Sequence, residues 1–144
     1  MAENDVLAPF ERIAGECLAV RMRLLNRVVT RLYDDALRPF GLKVSQLNLL
    51  VAAGCRGRVR PAEVCERLQI DPSTLSRNLE RMRRNGWLEA VDDDDGRTHP
   101  FRLSAKGKRL VERAYPAWQA AQGKAAELLG NEGTALLRRA VAKL

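Results

Sequence analysis

A chain of 144 residues, 46 % apolar, is long enough for one compact domain, and with aromatics at only 5 % its core must be built from Leu, Val and Ala. The formal net charge of +7 favours a polyanionic partner, either nucleic acid or an acidic membrane surface, without choosing between them. Three cysteines (Cys17, Cys55 and Cys65) without a C-x-x-C pair argue against a disulfide framework, and a single histidine, His99, leaves no Cys/His zinc set, so no metal or other cofactor is expected.

No apolar run approaches membrane length, and the N-terminus lacks a basic lead followed by an apolar core. A soluble cytoplasmic protein with no membrane partner is the expectation. Residues 9–38 show helical periodicity: Phe10, Ile13, Cys17, Val20, Leu24, Val28 and Leu32 step by three and four. Pro39-Phe40-Gly41 is the stop signal. The stripe is heptad-like at first, so a second helical surface covers it, from another subunit or from the same chain.

A short helix begins at Val44 or Ser45, runs through Leu47, Leu50 and Val51, and is broken by the glycines of "GCRGR". Pro61 opens the next helix, "PAEVCERLQ", with Ala62, Cys65 and Leu68 on its inner side. After a turn at Gln69 to Asp71 comes "DPSTLSRNLERMRRNGW". Asp71 is a good N-cap and Pro72 a good first helical residue. Leu75, Leu79 and Met82 share a narrow arc and face the core. Ser73, Arg77 and Arg84 lie opposite, flanked by Glu80 and Arg81, and Asn85-Gly86 closes the helix.

"WLEAV" (87–91) and "PFRL" (100–103) read as the two strands of a hairpin with the polar tip "DDDDGRTH". Helical spacing resumes at Ser104 through Leu110, Ala114, Trp118, Ala121, Ala125 and Leu128, with Pro116 expected to kink it or break a hydrogen bond. Asn131 caps a last helix carrying Leu136, Leu137, Ala140, Val141 and Leu144.

A helix pair joined by so short a turn, the second member carrying arginines outward, suits the major groove of DNA. Ser73 and Thr74 bond phosphates or base edges, and Ser76 belongs to the same surface. Arg77 has the planar fork for a bidentate guanine contact. Arg81 and Arg84, further along, meet phosphates. Arg97 projects from the hairpin tip toward a minor groove. Asp95 is placed to orient Arg97 by an ion pair across the turn, while the other three aspartates point away from the duplex. His99 faces solvent or a phosphate. The competing reading is an ordinary solvated helix face, which any one arginine alone would fit.

These segments resemble the MarR family of winged helix-turn-helix transcriptional regulators. The resemblance is carried by the long first helix, by "PAEVCERLQIDPSTLSRNLERMRRNGWLE" and by "DGR…FRLSAKGKRL", and it spans nearly the whole chain. The family's wing pattern falls on Asp95, Gly96 and Arg97, then Leu103, Ser104 and Gly107. Gly96 stands where a second arginine is frequent, which implies a weaker wing contact. The resemblance implies a mainly α (α+β) fold in a single domain over 1–144. Residues 44–103 would form the winged helix-turn-helix DNA-binding lobe, and 9–40 and 104–144 the dimerisation helices. It further implies a homodimer on a palindromic operator of double-stranded DNA, acting as a repressor relieved by a small-molecule effector.

Organic-hydroperoxide-sensing members of that family carry a reactive cysteine near the start of the first helix, where Cys17 falls. Four residues on stands Arg21 rather than tyrosine, and Tyr33 lies further along. Arg21 or Arg12 would then lower the thiol pKa; the plainer reading makes Cys17 a small buried hydrophobe. An enzyme is not expected, since the chain has no Ser-His-Asp set, metal-ligand spacing or Gly-rich phosphate loop. A winged-helix protein-interaction module without DNA binding is the alternative from another class.

Overall fold

The helix expected over 9–38 is two helices that meet at Cys17. In the computed structural model, which describes residues 3–144 and side chains from Leu7 onward, α1 spans Glu3–Glu16 and α2 spans Leu18–Leu37. Cys17 leaves the helical region at φ −61°, ψ 110°, two residues after Gly15, a poor helix former. The Arg21 guanidinium covers the interruption by donating to the carbonyls of Gly15 and Cys17. α2 ends in a 3-10 turn, Arg38–Phe40, closed by Gly41 at φ 65°, so the proline-glycine stop signal acts where it stands.

Asp34, near the end of α2, accepts the Val44 amide at 2.8 Å and so helps to start α3, Val44–Arg56. Only one of the two glycines in "GCRGR" breaks this helix. Gly54 stays helical, at a position where an added Cβ would lie 3.3 Å from Leu103 Cδ2; Gly57, at φ 74°, ends the helix. In α4, Pro61–Leu68, the buried residue is Val64, with Cys65 half-buried; Ala62 and Leu68 are exposed. The expected inner side was therefore rotated away from the true one, a consequence of reading eight residues with few large apolar markers.

α5 spans Pro72–Arg84, and Leu75, Leu79 and Met82 are its buried residues, as its periodicity requires. β1 (Leu88–Ala90) pairs antiparallel with β2 (Phe101–Leu103), in the register Leu88 with Leu103 and Ala90 with Phe101. A third segment, absent from the sequence reading, joins them: Val59 and Phe101 exchange both backbone hydrogen bonds at 2.9 Å. Phe101 is fully buried between these partners.

α6 runs Ala105–Val141 across a kink at Gly130, φ 68° and ψ 172°, directly before Asn131, where the last helix is expected to start; the dihedrals stay helical at Pro116. Proline's fixed φ is helical, so the lost hydrogen bond and the crowding of the carbonyl four residues back are absorbed without leaving helical dihedrals, whereas glycine adopts a positive φ without a steric penalty. α6 packs along α2, where the Tyr33 hydroxyl donates to Gln122. Burial raises the Tyr33 pKa. The core of the lobe gathers Leu37, Leu49, Leu50, Leu75, Met82 and Phe101.

The junction between the lobe and α6 is tightly specified. Ser104 Oγ accepts the Gly107 amide at 2.9 Å and donates to the Gly86 carbonyl at 2.6 Å. Gly107 lies so close to β1 that an added Cβ would sit 2.2 Å from the Trp87 carbonyl oxygen.

Candidate nucleic-acid interface

α4 and α5 meet through a turn built on Gln69, which takes the left-handed conformation at φ 52° and lets the Ile70 amide reach the Cys65 carbonyl at 3.1 Å. Asp71 then caps α5. Its carboxylate accepts the Thr74 amide at 3.0 Å, the Thr74 hydroxyl at 3.3 Å and the Ser73 hydroxyl. Two of the expected DNA-contacting hydroxyls are thus committed as donors to the cap. They offer lone pairs outward, and they donate to a phosphate only by leaving Asp71.

The Ser73 hydroxyl, followed by the Thr74 amide, holds the Asp71 carboxyl below the usual aspartate range. A depressed folded-state pKa contributes stability above the unfolded value, and that contribution is lost as pH falls through the lowered one. In a carbon-detected NMR titration, the Asp71 carboxyl should show a midpoint below the ordinary value of about 3.9. A midpoint at or above that value would show the cap to be absent in solution.

On the outer face of α5, Ser76, Arg77 and Arg81 are exposed, and the two arginines make no ion pair among the described residues. Arg84 is exposed and paired with Glu80 at 2.7 Å. The outward face therefore carries two unpaired guanidinium groups and a third held by a neighbour one turn back. Arg83 is half-buried on the flank of the helix; its Nε is shielded and has no partner among the described residues, and it shares a cleft at the wing root with His99. The signal was present: Arg83 falls beside the Leu79 arc at about 100° per residue.

In the wing, Arg97 is exposed, and Asp95 and Arg97 form no ion pair among the described residues. The engaged aspartate is Asp93. It accepts Arg58 Nη2 at 2.6 Å and the Thr98 hydroxyl. The expectation for Asp95 failed because Arg58 comes from the Val59 segment, whose pairing with β2 the sequence did not reveal. His99, exposed at the wing root, has a positive φ of 42°.

A model described as MarR family matches residues 40–98, the segment that holds α3, α4, α5, β1 and the wing tip but stops short of β2. The structure of the M. tuberculosis transcriptional regulator MosR in complex with DNA is 31 % identical, with a TM-score of 0.77 over 89 % of this chain and 92 % of that one. The chain belongs to the MarR family. Within that family of winged helix-turn-helix transcriptional regulators, the fold also matches a mutant MarR from E. coli complexed with operator DNA. That match has a TM-score of 0.80 at 22 % identity, over 92 % of this chain and 96 % of that one. The multiple antibiotic resistance protein MarR of Salmonella typhimurium is 27 % identical over 93 residues, 64 % of this chain. The chain spans 65 % of the length of that curated relative.

For a MarR-family chain the position of Cys17 matters. It sits half-buried at the α1–α2 break, between exposed neighbours. Neither expected arginine is given over to its thiol: Arg21 bonds backbone carbonyls, and Arg12 pairs with Glu16 at 3.8 Å. Tyr33 lies about 24 Å further along α2 at 1.5 Å per residue and is tied to Gln122.

Proposed function

We propose that this MarR-family chain forms a homodimer that binds a palindromic operator in double-stranded DNA and acts as a cytoplasmic repressor relieved by a small-molecule effector. The observation that carries the DNA reading is the outer face of α5: Arg77 and Arg81 are exposed, and without an ion pair among the described residues, on a capped helix whose opposite arc is buried. On this reading Arg77 reads a base edge, Arg81 and Arg84 bond phosphates, and Arg97 enters the minor groove. Ser73, Thr74 and Ser76 line the entry of the helix, and His99 lies at the wing root.

The dimer is supported by a separate observation. Phe10, Ile13, Leu18 and Leu24 on α1 and α2, and Leu136, Val141 and Leu144 at the end of the chain, are each more than half exposed. Soluble monomers rarely leave so much apolar surface in water. A second copy covering these faces would set two α5 helices on adjacent half-sites, roughly 10 base pairs apart. Among the described residues no helix is long and apolar enough to cross a membrane. The unpaired α5 arginines favour this reading over an interaction module that leaves DNA alone, and the engagement of Arg12, Arg21 and Tyr33 elsewhere weighs against an oxidant sensor at Cys17.

Fluorescence anisotropy with genome-selected duplexes, titrated with salt, tests the proposal. Affinity should fall steeply with salt while the selected site stays well above random DNA. Sedimentation at the same concentrations should give the mass of two chains. Equal binding to selected and random duplex, or a monomer throughout, ends it.

A further inference from the structure

We propose that Asp93 is a positioning residue of the wing: with Arg58 and Thr98 it forms a latch that sets the approach of Arg97 to DNA. The inference rests on the DNA-binding reading above. Three bonds meet at this residue. One carboxylate oxygen accepts Arg58 Nη2 at 2.6 Å, the other accepts the Thr98 hydroxyl, and the Asp93 carbonyl accepts the Gly96 amide at 3.1 Å. The hydroxyl bond spans the tip from one limb of the hairpin to the other, with Arg97 directly before Thr98. The arginine bond ties the tip to the segment that precedes α4, whose next residue, Val59, pairs with β2. Gly96 accepts its turn position at φ 56°.

The Asp93 side chain is only 12 % exposed, whereas Arg58 is 46 % exposed. A pair of this kind adds little to overall stability. Its consequence is geometric, because an otherwise open hairpin tip loses its freedom to swing. The other aspartates of the tip, Asp92, Asp94 and Asp95, form no ion pair among the described residues. Beside a phosphate backbone they act only as negative charge.

This difference gives the test its sign. If charge alone mattered, removing any carboxylate of the tip would tighten DNA binding. The latch demands the opposite at one position. Asp93→Asn should weaken binding to a selected duplex roughly 10-fold, the scale of a lost charge-assisted hydrogen bond, while Asp94→Asn leaves affinity unchanged or tighter. Thr98→Val, which changes no charge, should weaken binding in the same direction and covers the case in which Asp93→Asn does not fold. In an Arg97→Ala background the Asp93→Asn effect should shrink toward nothing, because both substitutions remove the same wing contact.

Amide hydrogen exchange on the free protein supplies an arm that needs no DNA: residues 94–98 should exchange faster in Asp93→Asn and Thr98→Val than in the parent. Tighter or unchanged binding by Asp93→Asn, an effect that persists in full without Arg97, or unaltered wing exchange overturns the latch. A parent protein that ignores duplex DNA while its wing exchange responds as stated overturns the DNA reading instead.

Discussion

Arg77→Ala should weaken binding to the selected operator by roughly 1–3 kcal/mol and relax the preference at one base pair per half-site, with less effect on random duplex. The geometry behind this is narrow. Arg77 lies opposite the buried Leu75–Leu79–Met82 arc, more than one and a half turns beyond a cap that fixes where α5 begins. It is exposed and, among the described residues, has no ion pair to release before it reaches a base edge. Arg84, tied to Glu80, must give up that partner first, so its substitution should lower affinity less and without a change in base preference. Anisotropy against operator variants carrying each base pair in turn separates the two. Equal weakening on operator and random DNA by Arg77→Ala would remove it as a base reader.

Gly107→Ala should destabilise the fold by roughly 3 kcal/mol, for a reason unrelated to helix propensity. The new Cβ would stand 2.2 Å from the Trp87 carbonyl oxygen and 2.8 Å from Leu103 Cδ1. A backbone atom cannot rotate aside as a side chain can, so α6 must move off the strand, taking with it the Ser104 bonds to Gly86 and Gly107. Gly123, in the same helix, has nothing within 4 Å of an added Cβ, and Gly123→Ala should gain up to about 1 kcal/mol. Calorimetry would show the contrast: a loss of roughly 10 °C in Tm for the first and a small rise for the second. If both shift alike, α6 does not press on the lobe as described.

Much of the lobe was legible. Leu75, Leu79 and Met82 are spaced so that only a helix buries all three, and Asp71-Pro72 marks its start, so α5 and its outward face followed from local rules. The wing strands were read from alternation and a polar tip, and they stand as β1 and β2. Less was legible wherever the deciding partner is distant in the chain. Nothing near Val59 announces a bridge to Phe101, because an isolated pairing leaves no periodic trace. Arg58 could not be matched to Asp93 without that bridge, and the aspartate assigned to orient the wing was therefore the neighbour of Arg97 rather than the one that the third segment reaches.

The helical breaks divide in the same way. Gly41 and Gly57 end helices because a local left-handed turn suffices there. Gly54 and Gly107 are glycines of close approach, and only the packed neighbours, Leu103 and the Trp87 backbone, distinguish them from breakers. Local spacing suffices for the elements whose signals are periodic or adjacent: α5, its cap, its cationic face and the hairpin behind it. Packing settles which aspartate Arg58 reaches and why residue 107 must lack a Cβ, because each rests on a contact between residues far apart in the chain, and such contacts leave no imprint on local spacing.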